Sequence, residues 1–141
     1  MKLSRVEIAK MIDHTFLKPE GTEEDVARLV SEGLKYGFHS VVVNPYFVPL
    51  ASKLAEGSGL RICSVVGFPL GATLPEAKAR EAELLGRAGA HEVDMVINIG
   101  ALKSGLDDVV LADISGVVNA FRSVRPEGVV KVILETGLLT R

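Results

Sequence analysis

Glu92-Val-Asp-Met-Val-Ile-Asn98 is the stretch on which the fold turns. Side chains alternate between the two faces of a strand. Asp94, Val96 and Asn98 therefore share one face, and Val93, Met95 and Ile97 the other. Val130-Lys-Val-Ile-Leu-Glu135 repeats the pattern, with Lys131, Ile133 and Glu135 set against Val130, Val132 and Leu134. Each strand has one wholly apolar face and one that carries charge. A doubly wound sheet is covered by helices on both faces and wants apolar residues on both. A (β/α)8 barrel keeps its helices outside and admits a polar interior near its strand ends. The two stretches predict the barrel.

Three further runs rich in β-formers precede these two. The expected strands are residues 11–15, 39–44, 61–67, 92–99 and 129–135. The expected helices are 4–10, 22–36, 45–56, 75–88 and 107–123. Thr22 stands before Glu23, Glu24 and Asp25, an N-cap followed by acids that suit the positive helix end. Thr73-Leu-Pro-Glu76 offers a cap, a first-turn proline and a capping-box carboxylate. Gly37, Gly57 and Gly89 mark helix stops. Strand and helix alternate at βαβ spacing, which gives a parallel sheet. The fold class is α/β, a partial TIM barrel of about five parallel strands alternating with helices.

The chain has 141 residues, a net charge of −2, 48% hydrophobic and 24% charged residues, and one cysteine. That length suits one domain spanning residues 1–141, at roughly 150 residues per domain. The single Cys63 cannot form an internal disulfide, which fits a reducing, cytoplasmic setting. Charge near zero excludes a nucleic-acid footprint. The longest mostly apolar stretch, residues 62–74, is too short for a membrane span and is broken by glycine and proline. Charges at Lys2, Arg5 and Glu7 do not suit a secretory signal.

Five motifs are similar to those of one family. They are Ile12-Asp-His-Thr-Phe-Leu-Lys-Pro19, Val43-Asn-Pro45, Val65-Val-Gly-Phe-Pro-Leu-Gly71, Glu92-Val-Asp-Met-Val-Ile-Asn-Ile-Gly100 and Val130-Lys-Val-Ile-Leu-Glu-Thr136. In this order and spacing the sequence resembles the N-terminal five-eighths of the deoxyribose-phosphate aldolase family. The resemblance implies a class I aldolase on a (β/α)8 barrel. Such an enzyme cleaves 2-deoxyribose 5-phosphate into acetaldehyde and glyceraldehyde 3-phosphate through a lysine Schiff base, with no metal or other cofactor. The family's imine-forming lysine lies on the sixth strand and its second lysine on the seventh. The Val-Lys-Thr-Ser-Thr-Gly type motif that carries the first and the Lys-Ala-Ser-Gly-Gly type motif that carries the second do not occur in these 141 residues, nor do the strand-seven and strand-eight loops that grip phosphate. The resemblance thus implies a truncated aldolase, inactive alone.

Asp94 aligns with the family aspartate that assists proton transfer around the imine. Its alternative is a buried carboxylate paired with a structural lysine such as Lys131 on the neighbouring strand. Lys131 should face inward beside Asp94 as a supporting charge, since nearby carboxylates hold an amine protonated. Asp13 and Thr15 at the end of the first strand, Asn44 at the end of the second and Glu135 on the fifth are candidate substrate contacts. Capping or loop bracing is the alternative for Asp13, and a turn before Pro45 for Asn44. Lys18 and Lys103 should be solvated loop lysines. Gly67-Phe-Pro-Leu-Gly71 lacks the spacing of a phosphate loop and should be a tight turn lining the pocket. His14, His39 and His91 lack ligand spacing, so no metal is expected.

The expected partner is a small phosphosugar or aldehyde, provided the barrel is completed. A second class of function is a non-catalytic oligomeric assembly module. Five parallel strands leave open edges, which invite a homo-oligomer. An open partial barrel should also expose Val42, Val96 and Ile133, an apolar patch that favours association.

Overall fold

The structure, a computed structural model, describes residues 2–140. The strands are β1 (Asp13–Phe16), β2 (Ser40–Val43), β3 (Arg61–Val66), β4 (Glu92–Val96) and β5 (Val129–Ile133). The helices are α1 (Arg5–Ala9), α2 (Glu23–Tyr36), α3 (Val48–Leu54), α4 (Pro75–Ala88), α5 (Ile99–Lys103) and α6 (Asp107–Val124). The strands form one sheet in the order β1-β2-β3-β4-β5. The expected five parallel strands alternating with helices are present. The chain divides into two compact units. One holds residues up to 64 together with 88–90, and the other holds 65–87 together with residues from 91 on.

In the first unit β1 pairs with β2 and β2 with β3, all parallel. Helix α2 starts at a capping box. The Thr22 hydroxyl accepts from the Asp25 N–H, and the Asp25 carboxylate accepts from the Thr22 N–H at 3.0 Å. It stops at Gly37, whose φ of 65° is the left-handed conformation that glycine adopts without a Cβ penalty. Between these ends Val26, Leu29 and Val30 are buried at helical spacing, each worth roughly 1.5–3 kcal/mol of apolar transfer. All four residues of β2 are buried. Ser64 satisfies its buried hydroxyl by donating to the Val43 carbonyl at 2.8 Å. The expected helix over 45–56 is a 3-10 turn at Pro45–Phe47 followed by α3. Cys63 is buried in β3, as a small core residue should be.

In the second unit β4 pairs with β5 in parallel. Val93, Met95 and Ile97 are all buried, as the apolar strand face requires. Val117 and Phe121 of α6 and Ala82 and Leu85 of α4 are buried as well. The expected exposure of Val42 and Val96 is overturned, because they are 2% and 0% exposed, and Ile133 is half-buried. Val42 lies in a strand buried along its whole length. Val96 is covered by the loop after β3, which approaches so closely that a Cβ on Gly71 would lie 2.9 Å from its Cγ1. No helix among the described residues is long and apolar enough to cross a membrane.

The capping box carries a pH signature. The Thr22 backbone N–H and then its hydroxyl hold the Asp25 carboxyl below its ordinary value of 3.8, with smaller pulls from Arg28 and Lys18 against the burial that raises it. A depressed folded-state value stabilises the fold above the unfolded value and is lost as pH falls through the folded one. Thr22→Ala removes the side-chain cap of α2 and should lower stability at neutral pH. It should also shrink the loss of stability on acidifying below about pH 4. Urea midpoints at pH 7 and pH 3 check this, and a variant with wild-type midpoints at both would contradict it.

Candidate active site

The charged face of β4 and β5 becomes a compact cluster. The parallel register sets Asp94 opposite Lys131 and Glu92 opposite Val129. Residues two apart share a strand face, so both carboxylates come within reach of one long side chain. Lys131 Nζ lies 3.1 Å from Asp94 Oδ1 and 3.1 Å from Glu92 Oε2. The Glu92 side chain is 4% exposed, that of Asp94 18% and that of Lys131 35%. One ammonium between two carboxylates is favoured in its charged form, which a nucleophilic amine cannot be. The expected neighbourhood of Asp94 and Lys131 is present. Glu92, the more deeply buried acid, was not anticipated as its third member.

The strand ends differ from expectation. β4 stops at Val96 instead of residue 99, because Asn98 caps α5 by accepting from the Ala101 N–H at 3.0 Å. Lys103 is exposed, as expected of a solvated lysine, but it ends that helix instead of lying in a loop, and it donates to the Leu138 carbonyl at 3.0 Å. β5 stops at Ile133. Glu135 follows it in the left-handed region, φ 54° and ψ 55°, and is exposed. The alternation that would align Glu135 with Lys131 does not extend that far. This corrects the placement of Glu135 on the strand face.

The remaining candidates lie in the first unit. The half-buried Asp13 accepts from Ser40 Oγ at 2.6 Å, across a pair in direct register between β1 and β2. Thr15 is exposed, and its hydroxyl donates to the Asp13 carbonyl at 2.9 Å. Asn44 is half-buried and extended after β2, φ −59° and ψ 150°, as the residue before Pro45 should be.

In the second unit Gly67 and Gly71 have φ of 62° and 67°, and the Gly71 N–H donates to the Gly67 carbonyl at 2.7 Å. This is the expected tight turn. It borders a cavity of about 590 Å³ together with Ala77 and Glu81 of α4. Glu81 accepts from the Gly67 N–H at 2.8 Å.

Lys131 should also matter to stability. Lys131→Met takes the facing cation from the buried Glu92, and should cost about 2 kcal/mol. Glu92→Gln should cost less, since a neutral amide tolerates burial better than a carboxylate. Chemical denaturation of the two variants measures this, and wild-type stability in Lys131→Met would contradict the coupling.

Comparison with known proteins gives the family. The family model for DeoC/LacD family aldolases matches residues 7–135. The deoxyribose-phosphate aldolase of Carboxydothermus hydrogenoformans is 52% identical over 138 residues, 98% of this chain and 60% of that protein. The deoxyribose-phosphate aldolase of Enterococcus faecalis is 51% identical over 135 residues, 96% of this chain and 60% of that protein. The chain thus spans about 60% of the length of these curated relatives. Among solved structures, the tetrameric deoxyribose phosphate aldolase of Aeropyrum pernix superposes with a TM-score of 0.86 at 41% identity, covering 97% of this chain and 56% of that one. QR15, an aldolase, gives 0.85 at 36% identity, covering 95% and 58%. With 129 consecutive residues matched by the family model and half of all positions shared with curated relatives, this chain belongs to the DeoC/LacD aldolase family.

Proposed function

We propose that these residues form one domain of a cytoplasmic deoxyribose-phosphate aldolase and supply the supporting half of its active site. The substrate is 2-deoxyribose 5-phosphate, held as an imine on a lysine that lies outside these 141 residues. The C2–C3 bond breaks as the C3 hydroxyl gives up its proton, releasing glyceraldehyde 3-phosphate. The remaining two-carbon enamine takes a proton at C2, and water then frees acetaldehyde. Asp94 moves these protons, and a positioned carboxylate suits that task. Lys131 stays an ammonium and lends supporting charge. Asp13, Thr15, Asn44 and Glu135 contact substrate in the completed barrel. The observation that carries this reading is the Asp94–Lys131 pair at 3.1 Å within a chain of this family.

A second reading, a homo-oligomeric assembly module with no chemistry, draws on the strand ends of the sheet. β1 and β5, first and last in the order, are the most exposed strands, whereas β2 is fully buried. Open edges recruit other chains.

The tests share one sample. Treated with acetaldehyde and borohydride, the chain alone should show no adduct above a denatured control by intact mass. Mixed with the remaining C-terminal part of a curated relative, it should cleave 2-deoxyribose 5-phosphate. In that mixture Asp94→Asn should lower turnover by about 100-fold or more. A stoichiometric adduct on Lys131 in the chain alone would overturn the supporting role. Unchanged turnover in Asp94→Asn would overturn the proton-transfer role. A chain that self-associates in light scattering yet never restores turnover would favour the assembly reading.

A further inference from the structure

Lys78 of α4 is fully buried, and so is its partner Asp113 of α6, at 0% and 2% exposure. Its Nζ lies 2.5 Å from Asp113 Oδ2 and donates to the Val96 carbonyl at 3.0 Å. Asp113 Oδ1 is buried with no hydrogen-bond partner among the described residues. A buried ion pair with an unmet acceptor is a poor device for stability alone, since apolar side chains of similar volume often do as well or better. Its geometry suggests another use.

The lysine lies beside the start of the strand-to-helix loop that borders the cavity, and bonds to the end of the strand on which the loop's far end rests. A Cβ on Gly67, where the loop begins, would lie 2.9 Å from Lys78 Cε, so the lysine stem runs directly beneath the backbone there. At the other end, a Cβ on Gly71 would lie 2.2 Å from the Ile97 carbonyl oxygen and 2.9 Å from Val96 Cγ1. The loop is thus seated at the C-terminal end of β4, against Ile97 and the Val96 side chain, and Lys78 holds the neighbouring Val96 carbonyl. Asp94 is two residues upstream on the same strand.

We propose that Lys78, locked by Asp113, is a positioning residue of the candidate site. It fixes the end of β4 against the Gly67–Gly71 loop, and so sets where Asp94 stands relative to the cavity. The inference rests on the reading of Asp94 as the proton-transfer group. It is tested by the state of Asp94 and not by turnover, so either idea can fail while the other stands.

The test is the titration of the Asp94 side-chain carboxyl carbon by NMR in the 141-residue protein. Lys78→Met/Asp113→Leu replaces the pair by apolar side chains that fill its space without reaching the Val96 carbonyl. In that variant the Asp94 midpoint should move by about half a pH unit or more, the scale of a changed local hydrogen bond or charge. Lys78→Arg, which keeps two donors, should restore the wild-type curve. A folded double variant with an unchanged Asp94 curve would overturn the proposal and leave Lys78 as structure alone. Amide exchange in the wild-type protein provides a second reading that needs no variant. The Gly71 and Ile97 N–H groups should exchange as slowly as the amides in the middle of α4. Exchange as fast as in the exposed Phe68 and Leu70 would equally overturn the positioning role.

Discussion

A single ammonium, Lys131, faces two carboxylates on adjoining parallel strands, with both contacts at 3.1 Å. This arrangement constrains the fold and the chemistry together. Charges on a strand face are tolerated where partners compensate them and costly where they do not. β4 and β5 must therefore stay in register, because a one-residue slip would send Asp94 and Lys131 to opposite faces. The same pairing directs Val93 and Met95 into the core. The charged cluster and the apolar packing behind it are two consequences of one alignment.

Chemically, the cluster bears on two roles that a lysine can play in imine chemistry. A nucleophilic lysine must lose its proton near neutral pH, which desolvation or a neighbouring cation promotes. Lys131 has neighbours of the opposite kind. Its surroundings suit it to hold negative charge in place and to tune Asp94.

Much of this was legible in the sequence because it is written in local periodicity. The alternation in 92–98 and 130–135 placed Asp94 beside Lys131, and Thr22 and Gly37 bounded α2 where the structure does. The errors lie where a local hydrogen bond or an unusual backbone angle overrides the pattern. Asn98 caps a short helix and ends β4 early, and Glu135 turns into the left-handed region and leaves the strand face. Lys78 is harder to foresee. Ala77-Lys78-Ala79-Arg80 has the composition of a solvated helix face. The burial of Lys78 depends on Asp113, 35 residues away, and on a backbone carbonyl at the end of β4. The burial of Val96 likewise follows from the absence of a side chain at Gly71, a contact that no pattern along β4 encodes.

The most direct measurement is the protonation of Lys131 followed by NMR of its labelled side chain across pH. Two flanking carboxylates favour the ammonium, so the amine should keep its proton well above neutral pH. A midpoint near neutral pH would contradict the account, because Lys131 would then be a competent nucleophile and not the supporting charge of the site.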